Sequence, residues 1–275
     1  MPNKLVSLCV LNTNERHFLE KAIPLMLGQT YQPLELIVVD NASEDGSAEW
    51  IERNYPEIVL LRNEKNLFYC KSHNKGIAAA KGEYVMLLNS DIFMTPTFVE
   101  EQVRAMEADP KVGLCQGKLV QIKREEEPVE TRTLGKTLDS CGVGMDVLLR
   151  VQDYGFARED KGQYNVKAHV FAACGAVPLY TRAFIEDIAC EGEVLDEDYE
   201  IYGEDLDIGW RAQLLGWRVL YVPTAVAYHF RGLKTLAKPT PEPIKRYMQG
   251  LAHKNRYLII AKNATWRQLV PWGVA

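Results

Sequence analysis

Four short apolar runs, near residues 5–11, 35–40, 58–62 and 83–89, alternate with helical patterns near 17–28, 46–54, 71–81 and 96–108. Strand-length apolar segments separated by amphipathic helices join through βαβ crossovers, which predicts a mostly parallel sheet with helices on its faces. Leu36–Val39 and Ile58–Leu61 are apolar without alternation, as strands covered on both sides must be. The rhythm stops near residue 111. Beyond it the pattern predicts strands near 113–121, 168–180 and 218–229, interrupted by a charged run from Lys123 to Glu130. With no internal repeat or low-complexity linker, 1–235 reads as one α/β domain with halves 1–111 and 112–235, followed by a basic helical extension, 236–275.

The 275 residues, 47% hydrophobic and 25% charged, are enough for a sizeable core. No apolar run approaches the roughly 18 residues of a membrane-spanning helix. Leu5–Leu11 is too short for a signal-peptide core and reads as the first strand. Cys9, Cys70, Cys115, Cys141, Cys174 and Cys190 form no C-x-x-C pair and read as reduced packing residues of a cytoplasmic protein.

Charge is uneven along the chain. From Arg231 onward nine Lys or Arg face the single Glu242, a balance of +8 that leaves −13 on residues 1–230. Such a body disfavours nucleic acid, whereas the tail, with Trp266 and Trp272, suits an anionic membrane surface or a phosphate-bearing acceptor. Pro239, Pro241 and Pro243 precede Ile244, Tyr247, Met248, Leu251 and Leu258 at near-helical spacing. Lys245, Arg246, Lys254, Arg256 and Lys262 are interspersed, so the helix either packs on the body or lies on a membrane; the apolar Tyr257–Ala261 stretch favours packing.

Chemistry concentrates where the apolar runs end. Tyr84-Val-Met-Leu-Leu stops on Asn89, Ser90 and Asp91. Ligand crevices of open α/β sheets lie beyond the carboxyl ends of the strands, so Asp91 is placed to hold a divalent cation. The alternative is a turn toward a helix capped by Thr95 and begun by Pro96. Leu11, Asn12, Thr13 and Glu15 follow the first strand, and Asp40 ends the second. A carboxylate there accepts hydrogen bonds from a base N–H or ribose hydroxyls, while Asn41, Ser43 and Asp45 suit the turn and cap before Gly46.

Arg62–Asn66 follows the third run and leads to Lys71, Asn74 and Gly76 at a helix start, a setting for phosphate or ribose. A G-x-x-x-x-G-K-[ST] loop is missing, and Gly142 and Gly144 are followed by Val147 where a third dinucleotide-binding glycine belongs. Asp196–Asp207 is densely acidic and runs into a helical pattern, Ile208, Trp210, Arg211 and Leu214. Glu204 and Asp205 either complement the helix dipole or supply a general base. His229 ends the strand Val219–Tyr228, either as a core histidine or, beside Asp91, as part of a mixed N/O site for Mn2+ or Mg2+.

Three of these segments, in order and spacing, resemble the inverting GT-A glycosyltransferases of glycosyltransferase family 2, especially the bacterial rhamnosyltransferase-like branch that builds cell-surface polysaccharides. They are Asn12-Thr13-Asn14 with Val38–Gly46; Leu88-Asn-Ser-Asp91 as a D-x-D variant; and Tyr202–Asp207 with Gly216–Pro223 and His229. The resemblance runs from Val6 to about Arg256. It implies a Rossmann-like GT-A fold, a nucleoside-diphosphate-sugar donor and a glycan or lipid-linked saccharide acceptor. The basic tail separately leads to the expectation of peripheral contact at the inner face of the cell membrane. Leu11, Asn12, Thr13, Glu15 and Asp40 would face base and ribose, and Asn66, Lys71, Asn74, Asn89 and Ser90 the rest of the donor. Asp91 and His229 would hold Mn2+ or Mg2+, and Asp205, paired with Glu204, would be the catalytic base.

Two positions depart from the family pattern. Asn89 replaces the first acid of D-x-D, and Phe68 stands where relatives often have glycine. Two other readings remain open at this point. A sugar-phosphate nucleotidyltransferase would carry a Gly-rich basic loop after the first strand, which Asn12–Lys21 is not. A non-catalytic sugar-nucleotide-binding subunit is compatible with the missing acid.

Overall fold

The computed structural model describes residues 3–123, 129–146, 148–230 and 242–265. Its first half alternates as the periodicity predicts: β1 (Val6–Asn12), α1 (Arg16–Leu27), β2 (Leu34–Asp40), α2 (Ser47–Asn54), β3 (Val59–Arg62), α3 (Phe68–Ala79), β4 (Tyr84–Asn89), the short β5 (Ile92–Met94) and α4 (Phe98–Glu107). The second half runs β6 (Val112–Gln121), β7 (Leu138–Ser140), β8 (Val143–Met145), β9 (Val151–Asp153), β10 (Ala168–Val170), β11 (Leu179–Thr181) and α5 (Arg182–Ile188). A 3-10 turn at Glu197–Tyr199, then α6 (Glu204–Leu214), β12 (Arg218–His229) and α7 (Glu242–Asn263) complete it.

The main sheet has the order β10-β12-β6-β11-β4-β1-β2-β3, with β5 added to β12 and β7 to β6. β3, β2, β1 and β4 are mutually parallel, as βαβ crossovers require, and β12 runs parallel to β6. β11 is antiparallel to both its neighbours and stitches the halves together. One face is buried under α1 and α4 through Phe18, Ile23, Met26, Phe98 and Val103. The other packs against α3, α5 and α6 through Ile77, Phe184, Ile185 and Trp210. Each such side chain contributes about 1.5–3 kcal/mol when fully buried.

Three expectations need correcting. The run 168–180 is not one strand: β10 and β11 flank a break at which the Cys174 N–H donates to Gln116 Oε1 at 2.6 Å instead of to a neighbouring strand. Thr95 does not cap α4, because its hydroxyl donates to the Val226 carbonyl at 2.7 Å and the helix begins at Phe98. On α7 the buried stripe is Leu251, Asn255, Ile259 and Asn263, at strict four-residue spacing, while Ile244 and Tyr247 are exposed.

Two buried asparagines therefore carry what apolar periodicity assigned elsewhere. The charged run 123–130, Val147, the three prolines 239, 241 and 243, Trp266 and Trp272 fall wholly or partly outside the described residues. Among the described residues no helix is long and apolar enough to cross a membrane.

Candidate active site

The parallel strands end in one tier. Strand register pairs Asn12 with Asp40, Asp40 with Arg62 and Leu11 with Asn89, so the residues at which apolar character stops share one sheet edge. Asn12 Nδ2 lies 2.9 Å from Asp40 Oδ1, 3.0 Å from Ser43 Oγ and 2.9 Å from Ser47 Oγ. Asp40 Oδ2 accepts from the Ser43 N–H at 3.1 Å. These contacts lock the β1 and β2 loops together, with Thr13 half-buried beside them. Asp45 accepts the Ser47 N–H at 3.0 Å in the turn before α2, as its turn position predicts, while Gly46 is the N-cap.

Beyond β4 the chain turns straight into β5, which pairs with β12 so that Ile92 faces His229. That pairing sets His229 Nε2 3.4 Å from Asp91 Oδ1. On the other side of the ring, Nδ1 lies 2.8 Å from Asp139 Oδ2. Burial alone would lower the His229 pKa, but Asp91 and Asp139 outweigh it and push it up to about 9. Glu15 joins this corner, with the Ser90 hydroxyl donating to its carboxylate. Burial, reinforced by the Asp91 charge, pushes Glu15 up to about 7.

The donor set suits a hard divalent cation, with one carboxylate and one imidazole whose far nitrogen is fixed by a second carboxylate. No group of three His, Cys, Asp or Glu is disposed to hold a metal by itself among the described residues. Asp91 and His229 would hold such a cation only together with further ligands.

The second acidic centre opens α6. Asp205 Oδ1 accepts from the Leu206 N–H at 2.8 Å, and the Gly175 backbone also reaches its carboxylate. Burial still raises Asp205 above the ordinary aspartate range. Burial first, and Asp205 second, push Glu204 up to about 8. A Cβ at Gly175 would stand 3.1 Å from Glu204 Oε1 and 3.4 Å from the Tyr69 hydroxyl, so glycine is what lets these groups close in.

From Gly175 the chain leads directly to β4, because the Asn89 N–H donates to the Ala176 carbonyl at 3.1 Å. Asp205, Gly175, Ala176, Asn89, Ser90, Asp91 and His229 are thereby linked through consecutive bonds and contacts around one strand end. Positive φ at Glu200, Tyr202 and Gly203 shapes the turn before the acids. Helix α7 holds that turn from outside: Asn255 Nδ2 lies 2.8, 2.9 and 2.7 Å from the carbonyls of Tyr199, Ile201 and Tyr202. Lys262 pairs with Asp196 and Asp198, and Asn263 Nδ2 donates to Asp207 Oδ1 at 2.8 Å.

Other residues singled out in the sequence occupy the start of α3. Asn66 Oδ1 accepts from Asn41 Nδ2 at 2.7 Å and from the Phe68 N–H at 2.8 Å. Lys71 is exposed and pairs with Glu197 at 2.8 Å. Asn74 binds the Leu195 backbone at both ends of its amide, at 2.7 and 3.0 Å. Both side chains thus tie α3 to the segment before the acidic turn. Phe68 adopts φ 59°, the left-handed region that favours glycine, with its ring 5.9 Å from that of Tyr247.

Asp139, Gly175, Tyr69 and Asn255 belong to this arrangement although nothing singled them out in the sequence. Asp139 sits fully buried on the three-residue β7, between Leu138 and Ser140, and a burial of this kind cannot be read from so short a segment.

Comparison with known proteins shows the family and the fold. The family model described as Glycosyl transferase family 2 matches residues 7–182. The chain is 26% identical over 234 residues to the putative glycosyltransferase EpsH of Bacillus subtilis, covering 84% of this chain and 62% of that protein. It is 24% identical over 271 residues to the N-acetylglucosaminyl-diphospho-decaprenol L-rhamnosyltransferase of Mycobacterium tuberculosis, covering 92% of this chain and 84% of that one. The crystal structure of GalNAc-T7 with UDP, GalNAc and Mn2+ is similar at a TM-score of 0.70 and 14% identity, covering 94% of this chain and 48% of that one. The chain therefore spans less than two thirds of the B. subtilis relative and about half of the GalNAc-T7 chain.

Proposed function

Because the chain belongs to glycosyl transferase family 2 and has the GT-A fold, we propose that it is an inverting glycosyltransferase moving a sugar from a nucleoside-diphosphate donor to a hydroxyl acceptor. The observation that carries this reading is the bonded path from Asp205 through Gly175 and Ala176 to Asn89, which sets the acidic turn against the strand end that bears Asp91. A general base and a diphosphate-holding corner on opposite sides of one strand end suit displacement at an anomeric carbon lying between them.

In this reading Asp40 and the Leu11–Thr13 edge receive base and ribose. Asn66, Asn89 and Ser90 border the donor, and Lys71 and Asn74 act through the α3 contacts they make. Asp91 and His229 would hold Mn2+ or Mg2+, and Glu15 stands where Asn89 leaves the D-x-D variant one carboxylate short. When bound there, the cation would supply Lewis-acid neutralisation of the charge on the departing diphosphate. Asp205 takes the proton of the acceptor hydroxyl as its oxygen bonds to the anomeric carbon. The bond from that carbon to the phosphate oxygen breaks, and its electron pair leaves with the nucleoside diphosphate.

A base raised above the ordinary carboxylate range is better matched to a neutral operating pH. Glu204, pushed up to about 8 by burial and by Asp205, holds its proton at neutrality, so Asp205 is the carboxylate we assign as the base. The acceptor we assign is a glycan or lipid-linked saccharide of cell-surface polysaccharide synthesis, with the reaction on the cytoplasmic side. Contact with an anionic membrane is a lesser part of this reading, since Lys254 and Lys262 on α7 are already paired with the body.

Incubation with sugar nucleotides and Mn2+, followed by product analysis, tests the reaction. Nucleoside diphosphate supports glycosyl transfer, inorganic pyrophosphate would identify a nucleotidyltransferase, and absence of both would favour a binding subunit.

A further inference from the structure

A cavity of about 430 Å³ lies on the far side of the Asp205 turn, between the β8–β9 hairpin, α6 and α7. Its volume falls in the range of small-molecule sites, and the lining is mostly apolar, with Met145, Leu149, Leu206 and Trp210 prominent. Leu148 and Val151, on and beside the hairpin, are 41% and 50% exposed, so an apolar lip continues from the cavity to the surface.

Polar groups at the cavity are few and specific. Arg150 and Arg256 both line it. Arg150 is shared with Asp146 at 2.7 Å, and Arg256 is exposed with no carboxylate partner among the described residues. Two guanidiniums beside an apolar space, on a body of strongly negative net charge, form a local receptor for an anion. Their planar donor sets match phosphate geometry. Asn255 also lines the cavity, is 1% exposed, and its Oδ1 has no hydrogen-bond partner among the described residues. A buried acceptor left this way is unfavourable until a donor arrives, such as a hydroxyl of a bound molecule.

We propose that this cavity is the aglycone end of the acceptor site and takes an apolar chain joined to phosphate. The chain enters between the hairpin and α7, the two arginines hold the phosphate, and the attached sugar reaches Asp205 across the adjoining Leu206. A sugar alone would leave the apolar lining without a partner, and an unphosphorylated chain would leave Arg256 with neither a phosphate nor a carboxylate among the described residues. The inference rests on the glycosyltransferase reading for the identity of the reaction, but not for the binding itself.

Calorimetric titration of the full chain with farnesyl diphosphate, farnesol and inorganic diphosphate, all without metal or donor, tests it. Farnesyl diphosphate is expected to bind about tenfold or more tighter than either fragment. Arg256→Glu and Val151→Glu, both at exposed positions, are each expected to weaken that binding about tenfold while donor breakdown to nucleoside diphosphate without acceptor continues at the wild-type rate. Equal affinity for inorganic and farnesyl diphosphate, or unchanged binding in both variants, overturns the proposal. Wild-type protein that binds farnesyl diphosphate as expected but releases no nucleoside diphosphate from any donor would instead overturn the glycosyltransferase reading and leave the cavity assignment standing.

Discussion

Asp139 fixes His229 from behind: its carboxylate lies 2.8 Å from Nδ1, leaving Nε2 directed at Asp91. Carboxylate support of this kind orients an imidazole for metal binding and raises its basicity. Asp139→Asn is therefore expected to weaken Mn2+ binding about 10- to 100-fold, read by Mn2+ electron paramagnetic resonance with nucleoside diphosphate present. Wild-type affinity in that variant would remove His229 from the metal assignment.

Glu204→Gln separates the two acids of the α6 turn. Glutamine mimics the protonated form that Glu204 holds at neutrality, so transfer at pH 7 should stay within a few-fold of wild type. Stability should respond to pH differently. The folded pKa of Glu204 lies near 8, above its ordinary 4.5. Its contribution is thus fully present below about pH 4.5 and is lost as pH rises through 8. Urea midpoints at pH 5.5 and pH 8 should diverge in wild type and converge in the variant.

Asn255→Leu removes the α7 hold on the turn before Asp205 while keeping a side chain of similar size. The freed carbonyls of Tyr199, Ile201 and Tyr202 no longer fix the base, and transfer should fall by up to about 100-fold. Donor affinity, set at the far side of β4, should change little. Loss of donor binding together with transfer would show that α7 supports the whole fold rather than the base.

The parallel half of the fold was legible because both signals involved are local: the apolar runs that became β1 to β4 and the helical periods between them stand within a few residues of the observed limits. The places of Asp40, Asp91 and His229 at or just beyond strand ends were legible for the same reason, as polar residues following such runs. Asp139 was not, since its role comes from a three-residue strand pairing across the sheet to β6. The break between β10 and β11 was hidden inside an apolar run, although Gly175 and Pro178 lie within it and the Cys174 N–H turns to the Gln116 side chain. The buried face of α7 escaped because its anchors are asparagines that satisfy loop carbonyls, a function hydrophobic periodicity does not report.

His73 lies fully buried on α3, with neither ring nitrogen hydrogen-bonded among the described residues. Burial depresses its pKa from 6.5 to about 3. The unfolded chain takes up the proton first, so this site destabilises the fold as pH falls below about 6.5 toward 3, by on the order of 2 kcal/mol at pH 5. His73→Leu should abolish that dependence and raise the melting temperature at pH 5 more than at pH 7. An equal shift at both values would mean that the histidine is paired in solution.

The most direct test compares wild type with Asp205→Asn in single-turnover sugar transfer and in donor binding. The mechanism predicts loss of transfer by about 10²- to 10⁴-fold with donor affinity held within a few-fold. Near-normal transfer by Asp205→Asn would contradict the assignment of this carboxylate as the base, and with it the cleft built around β4.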